Sequence, residues 1–273
     1  HGSAGKGGAA IDFVIYYYGK TFPDAVSMLL GGEQGQTYRQ SWKQEEVPRK
    51  PFALPAANGD MRRVFAYLLR SRLLDYEVVS AFAKENLIYE SLELSKDKTR
   101  QFHNAIFVGY DPEGKARHAH KKGIYTMGKS YRGNLESSDP RYSFHWNGKS
   151  SEVFVFEAPI DMLSYISLHK NEWKEHSYVA LCGVGSQALF QLLQDHSELK
   201  KIHLCLDHDL AGLKAAERIQ ESLAEAWYSD VKMELSTWKD WNEDIKAMHG
   251  IEAVPAEEKP PPEMTEERML QMA

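Results

Sequence analysis

The chain has 273 residues, 42% hydrophobic, 11% aromatic and 26% charged. That is the composition of an ordinary globular protein with room for about two domains. Mean hydropathy is −0.51 and no run of ~18 apolar residues occurs, which excludes a helical membrane span. The net charge of −6 excludes a uniformly basic nucleic-acid coat, but the distribution says more than the sum. Residues 113–149 carry eight Lys/Arg against three Asp/Glu, whereas residues 251–273 carry six Glu against two Lys/Arg, with four prolines.

Residues 9–30 form an expected N-terminal helical piece, with Ile11, Phe13, Val14 and Tyr17, then Phe22, Ala25, Val26, Leu29 and Leu30 at helical spacing. Residues 31–55 are polar, contain Pro48, Pro51 and Pro55, and read as a linker. Helical spacing returns over residues 61–89, with Asp75 as a cap between two helices. Period two then takes over. Residues 105–110 read as a strand, Asp111-Pro112-Glu113-Gly114 as a turn, and residues 115–122 as a cationic return strand. After Ser150, four short apolar runs (153–156, 178–182, 202–206 and 231–235) alternate with helical stretches. Such alternation implies βαβ units and a parallel sheet covered on both faces. The tail after Gly250 is Pro/Glu-rich and expected to be loosely ordered.

Cys182 and Cys205 are the two cysteines. Each lies in an apolar run and reads as a small buried hydrophobe, with neither the number nor the spacing of a zinc site. A reducing, cytoplasmic compartment is expected. The first ten residues are small and Gly-rich, without the apolar core of a secretory signal. An opening His1 in place of Met suggests a fragment or a tag remnant.

Acidic side chains follow three of the apolar runs: Glu157, then Asp207 and Asp209, then Asp240, Glu243 and Asp244. Ligand sites of open α/β sheets lie at the carboxyl ends of the strands. Carboxylates converging there repel one another unless a cation lies between them, and oxygen donors suit a hard ion such as Mg2+. Each feature has a plainer reading. Asp-x-Asp is commonly a turn or cap, Glu157 can cap the helix near Pro159, and Asp209 can cap the helix from Leu210.

Glu157 after one strand, Gly183 after the next, and then Asp207-His208-Asp209-Leu210-Ala211-Gly212 resemble the Toprim domain shared by DnaG-type primases, topoisomerases and some nucleases. Phe156-Glu157-Ala158-Pro159-Ile160-Asp161-Met162-Leu163-Ser164 looks like its glutamate motif, and Lys239-Asp240-Trp241-Asn242-Glu243-Asp244 like the late element of primase-type members. Gly8-Ala9-Ala10-Ile11-Asp12-Phe13-Val14, followed by Phe22-Pro23-Asp24-Ala25-Val26, resembles the segment after the zinc ribbon of bacterial primases. Residues 68–89 and 104–123 look like primase-like proteins of plasmids and conjugative elements. The resemblance covers most of residues 8–247.

It implies an α/β fold: a C-terminal Toprim-like parallel sheet flanked by helices, preceded by a helical plus β-hairpin domain. The expected divisions are a post-ribbon remnant and linker (1–55), a nucleic-acid-binding domain (56–150), the Toprim domain (151–250) and a disordered acidic tail (251–273). It further implies catalytic Glu157, Asp207 and Asp209, with Mg2+ or Mn2+ held by these and by Asp240 and Glu243, and motif glycines Gly183 and Gly212. Zinc would belong to an upstream ribbon that this sequence lacks.

The basic hairpin is suited to template or nucleotide phosphates through Lys115, Arg117, His118, His120, Lys121 and Lys122, extended by Arg100, Lys129, Arg132 and Arg141. Tyr131, Tyr142, Phe144 and Trp146 interleave with these charges and are candidates for stacking bases. The competing reading is a solvated strand face over core aromatics. His118 and His120 at i, i+2 lack a third metal ligand nearby. The expected function is a Mg2+-dependent primase-like nucleotidyltransferase of mobile-element replication. Its partners would be single-stranded DNA, nucleoside triphosphates and a replicative helicase, with no membrane. The alternatives are a Toprim nuclease or nicking enzyme, or a non-catalytic DNA-binding replication module. A dehalogenase-type phosphatase ranks last, because Leu210-Ala211-Gly212 replaces the expected Gly-Thr.

Overall fold

The computed structural model describes residues 50–95, 97–125, 130–183 and 185–257. The expected helical piece at 9–30, most of the linker, Lys129 and residues 258–273 lie outside them. Helix α1 (Arg62–Ala66) runs into a π turn at Tyr67–Ser71, and α2 (Tyr76–Lys84) follows. The Asp75 side chain accepts from the backbone N–H groups of Glu77 and Val78, the cap expected from sequence.

Strands β1 (Ile88–Leu94), β2 (Gln101–Tyr110), β3 (Ala116–Gly123) and β4 (Arg132–Asn134) form an antiparallel sheet in the order β1-β2-β3-β4. The expected helix over 61–89 therefore ends at Lys84. Residues 88–94 alternate Ile88, Glu90, Leu92 against Tyr89, Ser91, Glu93, a period-two pattern of mixed polarity that one buried glutamate disguises.

The second sheet has the order β5-β7-β6-β8-β9, from β5 (His145–Trp146), β6 (Glu152–Phe156), β7 (Ser177–Ala180), β8 (Lys201–Leu204) and β9 (Asp230–Met233). β7, β6, β8 and β9 are parallel, as expected, and β5 adds an antiparallel edge. Helices α3 (Pro159–Leu168), α4 (Gln187–Asp195), α5 (Leu210–Glu225) and α6 (Trp241–Met248) complete the described part. No described helix is long and apolar enough to cross a membrane.

One face of this sheet packs Val153, Val155, Val179 and Ile202 against α4 and α5. The other face joins Phe154, Phe156 and Tyr178 to α3, and through Phe144 to Phe107 and Phe82 of the first half, in one continuous core. Phe82, Phe107, Phe144 and Phe156 are fully buried, each contributing about 1.5–3 kcal/mol by removal from water. Cys182 and Cys205 are buried and unpaired, as expected. At residues 251–257 the structure differs from the loosely ordered tail. Lys239 N–H donates to Val254 O, Glu257 N–H to His208 O, and Leu210 N–H to the Glu257 carboxylate. This segment is pinned over the carboxyl edge of the sheet.

Candidate active site

The acidic residues reach one place because the strands are parallel. β6 ends at Phe156, β8 at Leu204, and Glu157 and Asp207 follow them on the same edge. α3 begins with Pro159 in its first turn, where no N–H is needed. Asp209 caps α5, accepting from Ala211 and Gly212 N–H at 3.0 and 2.9 Å. Asp240 caps α6, accepting from Glu243 N–H at 2.8 Å. The plainer capping reading of Asp209 is thus correct for one carboxylate oxygen, while its Oδ2 lies 3.5 Å from Lys239 Nζ. The N-termini of α3, α5 and α6 start at this edge, and their positive ends offset part of the acidic charge.

Glu157, Asp161, Asp207, Asp240, Asn242 and Lys239 line a cleft of about 440 Å³, together with Arg72, which is bonded to Asn242, and with His120, Lys122 and Arg132 of the antiparallel sheet. The carboxylates feel one another. Burial, then Glu157, Asp240 and Asp209, push Asp207 up to about 7. Burial, then Asp209, raises Glu157 against the pull of Arg132 and Lys239. Asp161, on the buried side of α3, is raised well above the usual range by burial, then by Asp207 and Asp240. Burial also raises Asp240. On the antiparallel sheet, burial and then Arg72 and Arg132 lower Lys122.

Asp207 Oδ1 is buried with no hydrogen-bond partner. A buried carboxylate oxygen without a partner, among other carboxylates, is a group that a hard cation would satisfy. The donor set is all oxygen and fits Mg2+ or Mn2+. Among the described residues no three Asp, Glu, His or Cys side chains are gathered as a ready-made metal site.

The expected residues divide. Glu157, Asp207, Asp240, Gly183, His120, Lys122 and Arg132 line the cleft. Glu243 does not, because its carboxylate accepts from Lys246 and from Val254 N–H. Gly212 lets α5 start against β8, since a Cβ there would lie 2.1 Å from Asp207 O, whereas a Cβ on Gly183 would meet nothing within 4 Å. His118 is buried with both ring nitrogens unpartnered, and burial pushes it down to about 4. It is therefore no surface phosphate ligand. Arg117 pairs with Asp111 at 2.5 Å, Arg141 with Asp139, and Lys121 with Glu93. Lys115 and Arg100 are exposed and away from the cleft lining. Phe144 and Trp146 belong to the core and its margin rather than to a stacking surface.

Arg72, Asp161 and Asn242 were missed as site residues. Arg72 follows the π turn, a backbone feature that often marks functional sites and leaves no sequence period. Its Nε donates to Tyr67 OH at 2.8 Å and its Nη1 to Asn242 Oδ1 at 3.1 Å. Asn242 returns a bond to Arg72 O at 2.8 Å. Asp161 stood within the glutamate motif, four residues after Glu157, so one helical turn was the available signal.

Residues 154–245 match a family described as Toprim-like, and residues 66–150 a family described as a protein of unknown function, DUF3991. An uncharacterized protein of Bacillus anthracis, pXO2-78, is 27% identical over 277 residues, covering 89% of this chain and 74% of that one. The primase fragment of the bacteriophage T7 primase-helicase protein is 17% identical, with TM-score 0.47, over 66% of this chain and 68% of that chain. The E. coli primase catalytic core is 14% identical, with TM-score 0.46, over 69% of each chain.

Proposed function

We propose that this protein, whose residues 154–245 match a Toprim-like family model, is a divalent-cation-dependent nucleotidyltransferase of the DnaG-type primase-like kind that makes primers on single-stranded DNA in plasmid or mobile-element replication. The observation that carries the proposal is Asp207, a partly buried carboxylate with an orphaned oxygen, held up to about 7 among other carboxylates and facing a cationic wall.

Glu157, Asp207 and Asp240 would hold Mg2+, with Asp161 and Asp209 behind them. Bound there, the ion supplies neutralisation of the carboxylates and polarisation of a phosphate oxygen. Lys122 and Arg132 would bind the anionic phosphates of a nucleoside triphosphate. Arg72, fixed by Tyr67 and Asn242, offers its remaining N–H groups to the same anion without reorganising. Lys239, whose positive charge is reinforced by Asp209, Asp207 and Asp240 against the effect of burial, balances the acidic edge.

Asp209→Asn keeps the helix cap and removes the charge, since Asn caps as well as Asp. It is expected to fold normally and to lose Mg2+-dependent nucleotide incorporation on single-stranded DNA. Undiminished incorporation would remove Asp209 from the chemistry. Cleavage of labelled DNA in the absence of nucleotides would replace the polymerising reading with a nuclease.

A further inference from the structure

The antiparallel sheet has two faces with different fates. Ala105, Phe107, His120, Lys122 and Arg132 lie on the inner face, toward the core and the cleft. The outer face is covered at one end by Ile106, Val108 and Ala119 packed with Phe52 and Leu135. Among the described residues its other end is uncovered, and three large aromatic side chains are exposed there: Phe102, Tyr125 and Tyr131, by 39%, 56% and 54%.

The ladder fixes their arrangement. Ile124 N–H donates to His103 O, which sets Tyr125 opposite Phe102, and their rings are 6.3 Å apart. Gly123 lies opposite Asn104, and its N–H donates to Tyr131 O, which puts Tyr131 one row further along. One row is two residues of rise, roughly 7 Å. Tyr131 lies along β4 because residue 133 is glycine: a Cβ there would stand 3.1 Å from the Tyr131 hydroxyl. Lys121 Nζ sits 4.8 Å from the centre of the Tyr131 ring, on the same outer face. The adjoining β1–β2 turn presents exposed Lys98 and Arg100 beside Asp97. Arg132, next to Tyr131 in the chain, lines the cleft on the inner face, so the short edge strand β4 links the two surfaces.

We propose that this open end of the outer face is a platform for single-stranded nucleic acid. Bases stack on Tyr131 and on the Phe102–Tyr125 pair, Lys98 and Arg100 face the phosphates, Lys121 is held beside the Tyr131 ring by Glu93, and Arg132 meets the strand where it enters the cleft. The strand passes over β4 into the cleft. Exposed aromatics on a four-stranded sheet beside cations suit unpaired bases, because every base has a face to stack and a duplex hides it. The proposal rests on the primase-like reading for the class of polymer only; the surface is distinct from the carboxylate site.

The test is a fluorescence-anisotropy titration of the full chain with a labelled oligothymidylate of about twelve nucleotides, without nucleotides or divalent cations. Tyr131→Ala is expected to weaken binding about tenfold and Tyr131→Trp to preserve it. A Phe102→Ala/Tyr125→Ala double variant is expected to weaken it by a similar factor. Unchanged binding in these variants overturns the platform, even in a protein that incorporates nucleotides normally. So does a change of oligomeric mass in light scattering without a change in DNA affinity, which assigns the patch to a second copy of this chain. Aromatic-dependent binding by a protein that incorporates no nucleotide upholds the platform and overturns the enzymatic reading instead.

Discussion

Asp207 and His118 make opposite demands on pH. Asp207 is held up to about 7 from 3.8, so the fold favours its neutral form. Its stabilising contribution is complete below about pH 4 and is lost as pH rises through about 7. His118 is held down to about 4 from 6.5. Its contribution is complete above 6.5 and is lost as pH falls toward 4, a loss of about 3 kcal/mol. The two windows overlap with opposite sign, so thermal melts of variants across pH 4–8 separate them. Asp207→Asn is expected to leave a decline toward acid pH, and His118→Leu a decline toward alkaline pH. Mg2+ at pH 8 is expected to raise the melting temperature of the native chain and not that of Asp207→Asn. An equal rise in both would place the ion elsewhere.

The elements explain what was legible. β6, β7 and β8 were readable as short apolar runs because strands covered on both faces need no polar alternation, whereas β9 is an exposed edge strand marked only by Val231 and Met233. Asp75 and Asp209 were readable because caps follow residue type, while Asp240, expected as a metal ligand, also caps α6. β1 was not, since Glu90 breaks its apolar face. Glu90 is buried there and accepts from Val64 N–H, Asn58 and His103, tertiary contacts that no local pattern announces. Arg72 and Asn242 meet across 170 residues, and residues 251–257 are ordered by long-range bonds that composition does not show. The two motif glycines differ in kind. Gly212→Ala must move α5 away from Asp207 and is expected to cost 2 kcal/mol or more, by the logic of overpacking, at roughly 1–3 kcal/mol. Gly183→Ala is expected to leave the melting temperature unchanged within error. Equal melting of the two variants by circular dichroism would refute this contrast.

Across the described molecule, one core runs from α2 through Phe82, Phe144 and Phe107 into the parallel sheet. The acidic and cationic walls of the cleft are therefore parts of one packed body, and Phe144→Ala is expected to cost about 3–5 kcal/mol and to lower the transitions of both sheets together. That rigidity is what holds a cationic wall from one sheet against an acidic edge from the other. The account stands on the second of these as a cation-dependent polymerising centre. Its most direct measurement is incorporation of labelled nucleotide on single-stranded DNA in Mg2+, by the native chain and Asp207→Asn side by side. The native chain is expected to incorporate, and the folded variant to fall by at least about a hundredfold. Incorporation by Asp207→Asn at the native rate would contradict it.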